Sequence, residues 1–330
     1  MTAATVATNP TLADQARRLD PNGKIDKIVE SLTKRSPLLK DATFIEGNLP
    51  TGHRFTSRTG LPSLGWRMFN QGIAASKSRT DQITEACGLL EGRSVVDSAL
   101  AKLGGNEAGF RASEASSFLV AFTHEVETGA FYHSTETSPE KFMGLSPRLD
   151  SLSGPYSEQI VDSQIAASGS DQTSVWFVNW SPDTVFMMYP KGSIAGIEHK
   201  DLGEEYEEDA DGAKFLALRD HWRWNVGLCV KDARYLVRLC NVDTSAIVGT
   251  GKLLIEDMIT AAYQLQDFES GRTVIYCNRL VATYLHLQAQ DTSKNSTLKN
   301  EMIEGKPVTT FMGMPIRWTD AILNTEAIVT

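Results

Sequence analysis

Apolar residues recur along this chain at two different periods, and the changes of period divide it into segments. Over 24–34, Ile25, Ile28, Val29 and Leu32 fall at helical spacing, and Pro37 lies beyond to stop the helix. A stronger helical pattern starts after Asn106. Ala108, Ala112, Ala115, Leu119, Phe122 and Val126 step by four and three residues, with Phe118 and Ala121 widening the stripe and Arg111, Glu114 and Glu127 opposite. Some 25 residues of helix would be roughly 37 Å long, which predicts a structural spine. A short helix is predicted over 95–103, closed by Gly104-Gly105, and two more over 252–265 and 278–290, with a buried strand at 272–277 between them.

Elsewhere the pattern is extended. Residues 43–94 carry short alternating runs around Phe44-Ile45-Glu46, His53-Arg54-Phe55-Thr56 and Trp66-Arg67-Met68-Phe69, broken by glycine and proline turns. A polar ribbon of this length, with Arg54, Arg58, Arg67, Lys77 and Arg79 along it, lacks the side chains for a core of its own. It must lean on something else, and a neighbouring subunit is the natural support. Residues 136–169 are a Ser-, Pro- and Gly-rich connection into a second lobe that begins near Gln172. There, 175–180 and 185–190 are predicted to pair across Ser181-Pro182-Asp183, and 222–230 with 233–242 across Lys231-Asp232. The chain closes on a strand-turn-strand over 308–323. The first 22 residues are small, polar and proline-marked, with a short helical signal at 11–19 before the turn Asp20-Pro21-Asn22-Gly23, and read as an arm.

Composition narrows the function classes. With 41% hydrophobic residues in 330, the chain has enough apolar material for two lobes. A net charge of -9 without a basic concentration argues against a protein that grips nucleic acid. Cys87, Cys229, Cys240 and Cys277 form no Cys-x-x-Cys pair and are expected as buried or half-buried thiols. No run of about 18 apolar residues occurs, and the first residues lack the pattern of a signal peptide, so the cytoplasm is the expected place of synthesis and residence.

The motifs of chemistry are incomplete. Gly249-Thr250-Gly251-Lys252 has Ala246 where a phosphate loop needs glycine and Leu253 where it needs a hydroxyl, so it is read as a helix start. His124-Glu125 has Thr128 where a zinc protease needs its second histidine. Asp220-His221 and Asp183 are ingredients of a hydrolase triad without a nucleophile signature. Trp222 and Trp224 are expected in a core with Arg223 outside, rather than as a base-stacking platform. Six acids over 204–211 read as a solvated loop tip, with a cation site as the second reading. No catalytic residue, metal or cofactor is expected.

Several stretches, in order, carry a family resemblance: Leu19-Asp20-Pro21-Asn22-Gly23-Lys24-Ile25, Phe44-Ile45-Glu46-Gly47-Asn48-Leu49-Pro50-Thr51-Gly52-His53-Arg54, Arg58-Thr59-Gly60-Leu61-Pro62 and Asn70-Gln71-Gly72. They continue in Tyr189-Pro190-Lys191-Gly192-Ser193, Asp209-Ala210-Asp211-Gly212, Tyr276-Cys277-Asn278-Arg279 and Asp320-Ala321-Ile322-Leu323-Asn324-Thr325-Glu326. From near Leu19 to the C-terminus the chain resembles the major capsid proteins of tailed phages, in the group of short-tailed phages such as epsilon-fifteen. The resemblance implies an α+β fold of the Hong Kong 97 type. Its parts would be an N-terminal arm (1–23), a helix leading into the peripheral domain (24–42), an extended E-loop (43–94), a peripheral domain with spine helix 106–132 (95–160), an axial domain (161–304) and a C-terminal return to the peripheral domain (305–330).

It further implies a subunit that assembles into hexamers and pentamers of an icosahedral head enclosing double-stranded DNA, in the host bacterial cytoplasm. The packaged DNA would be contacted weakly, with no membrane involved, and a cement protein, scaffold and portal are the further partners. Arg54, Arg58, Arg67, Lys77 and Arg79 become candidates for contact with an acidic surface of the next subunit. Some shells of this type join subunits by a lysine-asparagine bond, for which no motif is present here. The alternative reading is a cytoplasmic hydrolase with its site in the second lobe.

Overall fold

In the computed structural model, the structure describes residues 10, 36–103, 106–163, 165, 171–209, 211–267, 271–290, 297–303 and 306–330. The predicted arm apart from Pro10, the helix over 24–34, Gly104-Gly105 and the side chains of 249–252 lie outside these residues. The described backbone forms five α-helices, α1 (Leu38–Asp41), α2 (Ser98–Leu103), α3 (Glu107–Tyr132), α4 (Ile247–Gln264) and α5 (Arg279–Gln290). Its strands are β1 (Phe44–Glu46), β2 (Gly52–Gly60), β3 (Arg79–Ala86), β4 (Gly88–Asp97), β5 (Ile160–Asp162), β6 (Gln172–Trp180), β7 (Val185–Tyr189), β8 (Ile197–Glu208), β9 (Lys214–Val230), β10 (Leu236–Asp243), β11 (Arg272–Cys277), β12 (Leu298–Ile303), β13 (Lys306–Phe311) and β14 (Met314–Trp318).

Twelve of these strands join one mixed sheet, and β2 with β3 forms a separate two-stranded ribbon. Period-two alternation in β6 builds two cores at once. Trp176, Val178 and Trp180 face one side, with Phe131, Val126 and Phe122 of α3. Val175 and Phe177 face the other, with Leu254, Met258 and Ala262 of α4 and Val281 and Leu285 of α5. The two cores are therefore the two faces of one sheet. The outer part of β9, inside the segment 161–304, is bonded to β4 on one side and to β8 on the other, and lies under α3.

The expected hairpins exchange partners. β6 and β7 meet at the single position Trp180–Val185, while β6 runs antiparallel to β10 and β11, and β7 antiparallel to β9. β6, β7, β10 and the end of β9 from Val226 to Val230 are buried on both faces, so alternation alone does not choose among interior partners. Val95 and Val96 belong to β4, opposite Arg219 and Leu218, and the helix begins only at Ser98, where Asp97 Oδ1 accepts from the N–H of Ala99 at 2.7 Å. The β-branched pair favours the strand. Residues 320–323 form no strand; their segment runs on as a strap in which Glu326 bonds Gln172.

Helix α3 starts as expected, with Asn106 Oδ1 accepting from Gly109 N at 2.9 Å. Its buried side is rotated from the expected stripe. Phe110, Phe122 and Val126 are buried, and Phe118 stacks on Trp222 at 4.6 Å, whereas Ala108, Ala112 and Leu119 face out. The aromatic side chains outweigh the alanines because they cover more apolar area. The same rotation brings in two charges expected outside. The Arg111 guanidinium spans Asp220 at 2.7 Å and Asp201 at 2.8 Å. Glu127 is fully buried and accepts from Thr319 Oγ1 at 2.9 Å and Leu38 N at 3.4 Å. Burial raises the Glu127 carboxyl above its ordinary value.

Among the described residues, no helix is long and apolar enough to cross a membrane.

Candidate assembly surface

The ribbon is rooted in the body and bare beyond it. β2 and β3 pair from Gly52–Ala86 to Arg58–Thr80, with a bulge next to Gly60. At the root, Phe55 packs into a small cluster with Phe186, Met188 and Cys229, beside Ile45 and Cys87. His53 lies edge-on to Phe186, and burial together with Lys231 lowers its pKa. Glu85, the buried side chain of β3, takes both arms of the Arg148 guanidinium at 2.5 and 2.8 Å. Gly47 and Gly52 are required here. A Cβ on Gly52 would stand 1.9 Å from the Glu85 carbonyl oxygen, and one on Gly47 2.3 Å from that of Gly52.

Beyond the root, every residue of 61–78 is exposed. The run Trp66-Arg67-Met68-Phe69, expected as a strand, lies in this tip, where Gln71 N donates to Met68 O at 3.2 Å and Asn70 takes φ 64°. Leu61, Leu64, Trp66, Met68, Phe69 and Ile73 are between 58% and 104% exposed. An apolar concentration of this kind on a water-facing loop marks an interaction surface. The alternation that predicts a strand through Trp66 and Phe69 has no partner strand beside it among the described residues, so these side chains stand on an open turn.

The five cations are distributed along this ribbon. Arg54 is tied down, its backbone bonded both ways by Asn48 and its Nε donating to Thr84 Oγ1 at 3.0 Å. Arg67 donates to Gln71 O and braces the tip turn. Arg58, Lys77 and Arg79 are exposed and make no salt bridge among the described residues, with Arg58 and Arg79 at adjoining register positions across the ribbon.

The acidic run is a loop tip only at Asp209 and Asp211, which lie in the turn between β8 and β9. Glu204, Glu205, Glu207 and Glu208 belong to β8, where Glu204 meets Lys102, Glu207 meets Arg93 and Arg219, and Glu205 also lies against Arg219. Its partner strand β9 supplies the arginine that sequence distance hides. Among the described residues no three His, Cys, Asp or Glu side chains come together as a metal site. The triad ingredients diverge as well. Asp220 takes Arg111 and His199, His221 faces Glu91 at 3.6 Å, and Asp183 pairs with Lys231. Neighbouring strand residues point to opposite faces, which separates Asp220 from His221. Trp222 and Trp224 are buried, as expected, and Arg223 pairs with Glu198.

A family model for the major capsid protein GP7 matches residues 20–330. The chain belongs to this family. The capsid subunit is also similar to a solved structure of bacteriophage epsilon15, at 37% identity over 99% of both chains with a TM-score of 0.78. It shares its fold with the bacteriophage JBD30 capsid, at 9% identity over 88% of this chain and 93% of that one, TM-score 0.52. The α+β architecture is thus that of the Hong Kong 97-like phage capsid, and the protein is a major capsid protein of a tailed phage. No curated protein sequence matches the capsid subunit.

Proposed function

We propose that the subunit builds its shell through the ribbon, and that the bare apolar tip of 61–78 carries this reading. Copies join as hexamers and pentamers around double-stranded DNA, each ribbon lying on the next copy. The burial missing in one chain is then supplied by another. In this reading 43–94 is the E-loop, 1–23 the arm, 24–42 the lead into the peripheral domain, and α3 the spine helix of that domain (95–160). The segment 161–304 supplies the axial domain, with its β8 and outer β9 reaching back under the spine, and 305–330 returns to the peripheral domain. The exposed Arg58, Lys77 and Arg79 meet acidic groups of the neighbour, Arg54 shapes the ribbon itself, and Arg67 braces the tip turn while facing the next copy.

The role is structural rather than enzymatic, with assembly in the host cytoplasm. A scaffold, a portal and a cement protein are its further partners. Electron microscopy of the expressed protein tests this: closed particles or capsomer rings are expected, and a chain lacking 62–77 is expected to stay folded and unassembled. A wild-type protein that remains monomeric at high concentration would refute the reading.

A further inference from the structure

At the foot of the ribbon, between β4 and α3, Gly88, Leu89, Leu90, Val126, Phe142 and Val226 line a pocket of about 110 Å³. Val126, Phe142 and Val226 form its buried floor, while Leu89 stands at the lip, 55% exposed. Apolar cavities of about 150 Å³ accept a benzene ring, so this recess is of the size for the end of one large apolar side chain. The rim is charged. Lys141 and His133 both reach Glu125 at 3.2 Å, and Glu140 has no salt-bridge partner among the described residues.

The ribbon's own tip cannot fill this pocket. Gly88 follows β3 after one residue, and the eight residues of β3, at about 3.4 Å each, hold the tip roughly 27 Å from the foot. At that tip Phe69 stands on the turn closed by Met68 and Gln71, 98% exposed, with Trp66 and Arg67 beside it. An aromatic knob next to a cation thus matches an apolar hole whose rim carries the Glu140 carboxylate, and the two sit at opposite ends of one hairpin.

We propose that Phe69 of one copy seats in this pocket on a second copy, with Trp66 over Leu89 and Arg67 beside Glu140. The proposal rests on the assembly reading and goes beyond it by naming the seat. Because tip and foot are different surfaces, the contact is head-to-tail, and repeating it closes a ring or extends a lattice. A buried aromatic anchor dominates contacts of this kind, so Phe69→Ala raises the subunit concentration needed for assembly by about tenfold or more.

The test is a full-length chain carrying Phe69→Cys and Leu89→Cys, assembled, oxidised and run on a non-reducing denaturing gel. A ladder of subunit multiples is expected, absent from the control pair Phe69→Cys with Leu280→Cys. Shells that form without the ladder, or with the same ladder in the control, overturn the seat and leave the assembly reading standing. Wild-type chain that forms no shells overturns both. Should the paired variant not assemble, hydroxyl-radical footprinting of wild-type shells decides: severalfold protection of both Phe69 and Leu89 against the unassembled chain supports the seat, and unchanged oxidation of either refutes it.

Discussion

Replacing Glu326 with alanine strips the C-terminal strap of its anchor. The Glu326 carboxylate lies among Arg238 Nη2 at 2.9 Å, Ser174 Oγ and Tyr132 Oη, and the Arg238 and Glu326 side chains are only 4% and 5% exposed. Without it, Arg238 keeps Leu149 O at 2.7 Å and the Trp176 ring, 5.0 Å from its centroid, but remains a buried cation with no counter-charge. Removing one partner of such a pair costs about 3–5 kcal/mol. Urea unfolding of the soluble subunit, followed by tryptophan fluorescence, is expected to show that loss as a lower midpoint with unchanged slope. The double variant Arg238→Met, Glu326→Leu is expected to recover most of it, because no unpaired charge is left in the sheet. A loss below about 1 kcal/mol for Glu326→Ala would refute the view that this pair holds the strap.

Further outcomes follow from other buried groups. Glu127, whose carboxyl is raised by burial, favours folding in its protonated form, so its contribution is present below the ordinary value of 4.5 and is lost as pH rises through the raised one. Glu127→Gln should therefore unfold at higher urea than wild type at pH 7, with the gap closing below about pH 4.5; an equal gap at both pH values would count against it. Gly52→Ala forces a Cβ into the Glu85 carbonyl and should loosen the ribbon root, seen as faster hydrogen exchange across 52–56 and 82–86 while α4 and α5 keep their protection. Burial pushes the thiols of Cys87, Cys229, Cys240 and Cys277 up to about 12. The native chain should resist maleimide at neutral pH and take four labels in denaturant; rapid native labelling at Cys229, Cys240 or Cys277 would contradict their burial.

Local pattern was enough for the pieces whose structure depends on near neighbours. The start of α3 at Asn106, strand β11 at Arg272–Cys277 and the hairpin β13–β14 were legible because capping, alternation and turn chemistry act within a few residues. Spacing also marked an extended polar stretch between Thr43 and Ser94, of which β2 and β3 stand apart as a ribbon while β1 and β4 join the main sheet. Partner choice was beyond that reach. β6 takes β10 and β11, and β7 takes the end of β9, because the stretches that pair are buried on both faces and only the packed sheet ranks the pairings. The rotation of α3 was likewise settled by Trp222, more than ninety residues on, which draws Phe118 inward and leaves Leu119 outside. Glu127 and Arg111 looked like surface charges in the sequence and became interior ones once that rotation set their partners, Thr319 and Asp220. The sequence by itself determined that the ribbon has no core. Tertiary structure decided that its root is fastened by Phe55 and Glu85 while its aromatic tip stands free, because burial is a property of what lies across space from a residue rather than of the residues beside it.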